Sequence, residues 1–122
     1  MSQFKEKPSS FLRSCQGACK GIFHSLKTEK HLRFHFFASF VVITAGFYLK
    51  ISGIHWLFIT YAIGSVIAAE LFNTALERVV DLVQPGYHPI AGIAKDIAAG
   101  AVLVTAIQSV VIGIMIFGPY FY

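Results

Sequence analysis

The apolar positions along the chain change their pattern after the first thirty residues. From Phe11 to Lys27 they fall at Phe11, Leu12, Cys15, Ala18, Cys19, Ile22, Phe23 and Leu26. Such spacing lines one face of an α-helix. Arg13, Lys20 and Lys27 recur on the side away from that face. The pattern predicts a surface helix over 9–28, capped by Ser9 or Ser10 after a short disordered tail that ends at Pro8. It is too polar to span a bilayer and fits a helix lying in the interface, or one packed on its neighbours. Beyond it the pattern is apolar nearly all round. One stretch runs over 34–50, flanked by Arg33 and Lys50, whose long side chains reach opposite interfaces. A second runs over 54–83 and stops at Gln84-Pro85-Gly86. A third runs over 92–118 and ends in Pro119 and the aromatic run Tyr120, Phe121 and Tyr122. Ser52-Gly53 is read as a tight turn between the first two. The expected architecture is an all-α integral membrane domain over 1–122: an amphipathic interfacial helix plus three transmembrane helices.

Composition agrees with a membrane solvent. Of 122 residues, 56% are apolar and 13% charged, too little polar surface for a soluble globular domain. The net charge of +4 does not indicate nucleic acid. Lys5, Lys7, Arg13, Lys20, Lys27, Lys30 and Arg33 cluster at the N-terminal end, with no aromatic-interleaved run or nucleic-acid module. They read as a flank facing anionic lipid. The positive-inside rule then places the N-terminus in the cytoplasm, the 84–92 loop in the cytoplasm and the C-terminus outside. Cys15 and Cys19, one helical turn apart, are read as reduced thiols. No cleavable signal peptide is expected.

Three acids break the second apolar stretch: Glu70, Glu77 and Asp81, with Asn73 among them. At about 100° per residue the four fall within an arc of roughly 80°. If Ile54 sits at the outer boundary, Glu70 lies about 24 Å further in, near the inner interface. Glu77 and Asp81 then reach the headgroup zone. Acids in a membrane helix are costly and functional by default. A single pairing with Arg78 or Lys95 accounts for one of them, but not for a stripe. Glu29, just before the first span, and Asp96, after Lys95 at the start of the third, place carboxylates from three segments at one membrane face. Hard oxygen ligands of this kind suit Mg²⁺ shared with nucleotide phosphates. Lys95 is read as neutralising phosphate charge or pairing with Asp96. His24, His31, His35, His55 and His88 are read as interfacial or loop side chains, and Gln108 as bonded to another helix. No Walker A or glycine-rich kinase loop occurs.

The run Glu70-Leu71-Phe72-Asn73-Thr74-Ala75-Leu76-Glu77-Arg78-Val79-Val80-Asp81 resembles the E-x-x-N-[ST]-A-x-E-x-x-x-D signature of the prokaryotic diacylglycerol kinase / undecaprenol kinase family. Ala94-Lys95-Asp96 and Glu29-Lys30-His31-Leu32-Arg33-Phe34-His35 also match, and the resemblance covers about residues 9–118. It implies a membrane homotrimer that uses Mg-ATP to phosphorylate a lipid alcohol at the cytoplasmic face of a bacterial membrane. By motif, Glu70 is similar to the catalytic base, Asn73 assists near the γ-phosphate, and Glu29 and Glu77 look like metal ligands. Gly86, Tyr87, His88, Lys95 and Asp96 resemble nucleotide-contacting positions, joined by Glu29, Glu77, Arg13 and Lys20. Asp81 and Arg33 are supporting. The pattern departs at Ser10 and Gly17, where relatives carry a basic residue and an aromatic. The Glu-Lys-His-Leu-Arg-Phe-His form resembles the undecaprenol kinase branch, with diacylglycerol the alternative lipid. Two other classes, an ion- or proton-conducting subunit and a non-enzymatic scaffold, do not account for acids drawn from three segments.

Overall fold

A computed structural model describes residues 10–121, and the segment read above as a tail lies outside them, as does Ser9. Among the described residues the fold is entirely helical. Helix α1 spans Ser10–Thr28, α2 Lys30–Leu49, α3 Gly53–Val83 and α4 Pro89–Phe117, followed by a 3-10 turn over Gly118–Phe121. The second, third and last of these are long and apolar enough to cross a membrane.

Helix α3 is the centre of the molecule, with α4 against it along much of its length and α2 antiparallel beside it. At the end away from the acids, Ile51, Ile59 and Ile116 form a small core with Val42, Leu49, Trp56, Ile63, Ile112 and Phe117. Few side chains are buried. Phe34, Phe37, Phe40, Phe47, Tyr48, Phe72, Leu103, Val104 and Ile107 all face outward. A water-soluble domain of this size buries such residues, whereas a helix surrounded by hydrocarbon gains nothing by doing so. Hydroxyls on the spans are satisfied locally: Ser39 donates to His35 O at 2.7 Å and Thr44 to Phe40 O at 2.8 Å. Ser109 Oγ donates across helices to Ala62 O at 3.2 Å, pinning α4 to α3.

The turn between α2 and α3 is made differently from the sequence expectation. Lys50, not Gly53, takes the left-handed conformation, with φ 54° and ψ 52°. Its N–H and that of Ile51 return to the carbonyls of Phe47 and Gly46 at 3.3 and 3.2 Å, the way a helix C-terminus closes when its last carbonyls lack partners. Gly53 is already helical. The turn folds Trp56 back over Gly46, where an added Cβ would meet the Trp56 ring at 2.7 Å.

Helix α1 touches the rest through its C-terminal turns, with Ser25 its one buried residue. Cys15 and Cys19 are free and exposed. Arg33, expected to reach toward the interface, turns back instead: its Nη1 donates to Leu26 O at 2.8 Å and Lys27 O at 3.0 Å. A cation on the last carbonyls of α1 satisfies two of its unpaired acceptors and opposes the negative end of the helix dipole. The sharp corner at Glu29 is thereby fixed.

Candidate functional site

The acidic half of α3 faces the α1–α2 corner on one side and the start of α4 on the other. Glu70 is the most enclosed of its acids, with a side chain 7% exposed. Its Oε2 lies 3.2 Å from Nε2 of His35 on α2. This corrects the reading of His35 as an interfacial residue without an acid. A hairpin brings together positions equidistant from its turn, and Ser52 stands nearly midway between His35 and Glu70. Reflection through the turn is the signal that spacing within one helix misses.

One turn further on, Asn73 is half-buried, and its Oδ1 is sealed with no hydrogen-bond partner among the described residues. A buried amide oxygen left without a donor costs about 1–3 kcal/mol. It persists where a group outside the chain supplies the donor. Glu77, on the same face, is half-buried and makes no ion pair among the described residues.

Glu29 is the N-cap of α2, although its side chain makes no capping hydrogen bond. Its Oε2 accepts from Arg78 Nη2 at 3.0 Å, and the same nitrogen reaches Thr28 Oγ1 at 3.0 Å. Arg78 Nη1 lies 3.4 Å from His24 Nε2. One guanidinium therefore joins α3 to the end of α1 and the start of α2. Glu29, read as a metal ligand, carries an internal cation in this state. Lys95 pairs with Asp81, so of the two readings of Lys95 the pairing with Asp96 gives way to a bond between α4 and the α3 stripe.

His88 opens α4. The N–H of Ile90 donates to its Nδ1 at 3.1 Å, ahead of Pro89, which suits the first turn of a helix. Because Nδ1 accepts, Nε2 is the ring nitrogen left to donate. Gly86, Tyr87 and Asp96 are exposed around this end. A cleft of about 330 Å³ runs between Val79, Val83 and Gln84 of the α3 end and His88, Ile90 and Ala94. Arg13 and Lys20 are exposed on α1, outside the part that packs on α3. Gln108 faces outward from α4 and has no hydrogen-bond partner among the described residues, so the helix-to-helix bond expected of it is not made within them.

Among the described residues, no three His, Cys, Asp or Glu side chains stand close enough to cage a metal. The donors present are hard carboxylate oxygens. That set fits Mg²⁺ arriving with phosphate oxygens, since the ion is commonly held by one or two carboxylates plus substrate phosphates.

A sequence-family model described as prokaryotic diacylglycerol kinase matches residues 16–117. The chain is 43% identical to the undecaprenol kinase of Bacillus subtilis (strain 168) over 109 residues, 89% of each chain. It is 42% identical to a diacylglycerol kinase of Synechocystis sp. over 105 residues, which is 85% of this chain and 60% of that one. The diacylglycerol kinase of Escherichia coli (strain K12) is 28% identical over 92 residues, 75% of each. The matched residues contain the whole α3 stripe, its α2 partner His35 and the start of α4. This chain is a multi-pass membrane protein and belongs to the prokaryotic diacylglycerol kinase family.

Proposed function

We propose that the protein is a lipid kinase that transfers the γ-phosphate of ATP to the hydroxyl of undecaprenol, giving undecaprenyl phosphate. The observation that carries this reading is Glu70: a carboxylate 7% exposed, on a helix of membrane-spanning length, with an imidazole nitrogen 3.2 Å from it. A carboxylate so placed suits the role of general base. Glu70 takes the hydroxyl proton, the acceptor oxygen forms a bond to the γ-phosphorus, and the bond from that phosphorus to the bridging oxygen breaks, releasing ADP. Transfers of this kind depend on positioning and on charge stabilisation around the phosphoryl group.

The residues near Glu70 divide that work. Asn73 assists near the γ-phosphate by donating from its amide nitrogen, while its sealed Oδ1, an acceptor, takes a donor from another group. His88, through Nε2–H, joins Gly86 and Tyr87 at the N-terminal end of α4, where the helix dipole favours phosphate. Lys95 and Asp96 border the nucleotide, and Arg13 and Lys20 of α1 close over it from the interface. Asp81 holds Lys95 in place, and Arg33 holds the α1–α2 corner. Mg²⁺ would be held by Glu77 and Glu29 together with phosphate oxygens, and would neutralise the charge that builds on them.

The lipid is supported by the named activity of the Bacillus subtilis relative, whose likeness extends over most of both chains. Diacylglycerol is the second reading, favoured by the Synechocystis sp. relative of similar identity. The arrangement in the membrane follows charge: a cytoplasmic N-terminus, α1 lying in the interface, and an outer C-terminus. A homotrimer is the assembly, with the outward side chains of the spans forming its contacts.

The test is a kinase assay in mixed micelles with Mg-ATP, comparing undecaprenol with diacylglycerol. Phosphorylation of undecaprenol several-fold faster is the expected result. Turnover of diacylglycerol alone replaces the lipid, and turnover of neither removes the kinase reading.

A further inference from the structure

His35 is the only side chain that the described residues set in polar contact with Glu70. The cations that might have taken its place are committed elsewhere: Arg33 to the α1 carbonyls, Arg78 to Glu29, Lys95 to Asp81. We infer that His35 is a positioning residue for phosphoryl transfer, holding one carboxylate oxygen of Glu70 through Nε2 so that the other faces the acceptor hydroxyl. The inference rests on the reading of Glu70 as the proton acceptor.

The geometry supplies the reasons. A glutamate side chain has three rotatable bonds, and a carboxylate with no donor beside it in apolar surroundings has no fixed orientation. His35 removes that freedom from a neighbouring helix. Its own ring is confined: the Phe34 ring meets it edge-on at 5.5 Å and 73°, and its side chain is 21% exposed. It also lines a cleft of about 100 Å³ walled by Ala38 and Val42 of α2, Ala62 and Val66 of α3 and Ser109 of α4. Oε2 of Glu70 stands 3.2 Å from the imidazole nitrogen, while Oε1 has no polar partner among the described residues. The choice of imidazole matters: a rigid planar ring sets its nitrogen 3.2 Å from Oε2 and gives the contact one direction.

Two variants separate this role from bulk packing. His35→Gln places an amide N–H near the position of Nε2, and His35→Ala removes the donor. In the micelle assay, kcat of His35→Ala falls by up to about 100-fold, the scale of a misplaced reacting group. KM for Mg-ATP and lipid changes little, because binding is not what was lost. His35→Gln recovers most of kcat. A wild-type kcat in His35→Ala, a loss confined to KM, or a Gln variant no better than Ala overturns the inference. A second readout does not need turnover: modification of Glu70 by a hydrophobic carbodiimide, located by mass spectrometry. Labelling rises roughly two- to tenfold in His35→Ala over wild type, the factor one hydrogen bond carries, and returns in His35→Gln. Equal labelling in all three overturns the contact itself. If wild type phosphorylates neither lipid, the kinase reading fails, and the labelling still decides whether His35 holds Glu70. Where His35→Ala is not recovered folded, His35→Leu, which fills the cleft, gives the same readouts.

Discussion

Arg78 Nη2 lies 3.0 Å from Glu29 Oε2, so a residue of α3 is bonded to the corner where α1 turns into α2. The pair is half open to solvent, with side chains 48% and 28% exposed, and pairs of that exposure contribute about 0.2–1 kcal/mol. If Glu29 is a metal ligand, the guanidinium competes with the ion for the same oxygen. Arg78→Ala is therefore expected to lower the Mg²⁺ concentration for half-maximal activity by roughly 1.4- to fivefold, the same energy expressed as a binding ratio. Titration of activity with Mg²⁺ at fixed ATP reads this directly. An unchanged or raised requirement would show that Arg78 does not hold Glu29 against the ion.

The same substitution has a structural consequence. Arg78 also bonds Thr28 and lies beside His24, so without it α1 keeps only the Arg33 cap and the packing of its last turns. Amide hydrogen exchange over residues 22–28 should speed up, while exchange in the middle of α3 stays at the wild-type rate. Uniform acceleration through α3 would mean that the whole fold, not the corner, depends on Arg78.

Gly46 is required by Trp56. A Cβ at position 46 would stand 2.7 and 2.9 Å from two atoms of the Trp56 ring and 3.2 Å from Ile51 Cδ1. Those neighbours belong to the turn and the small core behind it, so they have little room to retreat. Gly46→Ala should destabilise the fold by about 1–3 kcal/mol, the usual scale for overpacking. Trp56→Phe in the same chain, which shortens the ring, should recover much of the loss. Thermal unfolding in detergent of the single and double variants measures both. Additive losses would place the strain elsewhere.

Lys50 has the opposite problem. Its φ of 54° costs a residue with a Cβ roughly 1–2 kcal/mol, and glycine does not bear that cost. Glycine also loosens the unfolded chain, by roughly 0.4–1 kcal/mol. Lys50→Gly should therefore gain about 0.5–1 kcal/mol in the same unfolding experiment. A loss would mean that the ammonium contributes more at the interface than the backbone strain removes.

How much of this was legible in the chain depends on the distance over which each contact forms. Helices α1 to α4 follow from apolar runs and the breaks at Ser52 and Pro85, which are local signals. The stripe of Glu70, Asn73, Glu77 and Asp81 is also local, because 3.6 residues per turn fixes which positions share a face. The partners of the acids are not local. His35, Arg78 and Lys95 reach Glu70, Glu29 and Asp81 only after the hairpins close. Nearness in sequence offers Arg78 and Lys95 as cations for an acid of the stripe, yet it gives no weight to His35, or to Glu29 as the partner of Arg78. The Lys50 turn was hidden for a different reason: glycine, here Gly53, is the residue that usually takes a left-handed conformation, and the helix closed three residues before it.

Gln108 extends the argument from the single chain to its assembly. It lies well inside α4, exposed, with no hydrogen-bond partner among the described residues. A primary amide facing hydrocarbon loses its hydrogen bonds to water and gains nothing in return. In the proposed homotrimer, an amide on a neighbouring subunit or a backbone carbonyl can meet it, and such contacts in membranes contribute about 0.6–2 kcal/mol each. The two situations give opposite signs for Gln108→Leu. At a subunit contact, the substitution weakens assembly, so sedimentation in detergent shows trimer giving way to smaller species at higher protein concentration than in wild type. At a lipid-facing position, leucine is the better residue, and the variant unfolds at a higher temperature with its assembly unchanged. The outcome expected here is the first, and the second would move the subunit contact to another face of α4.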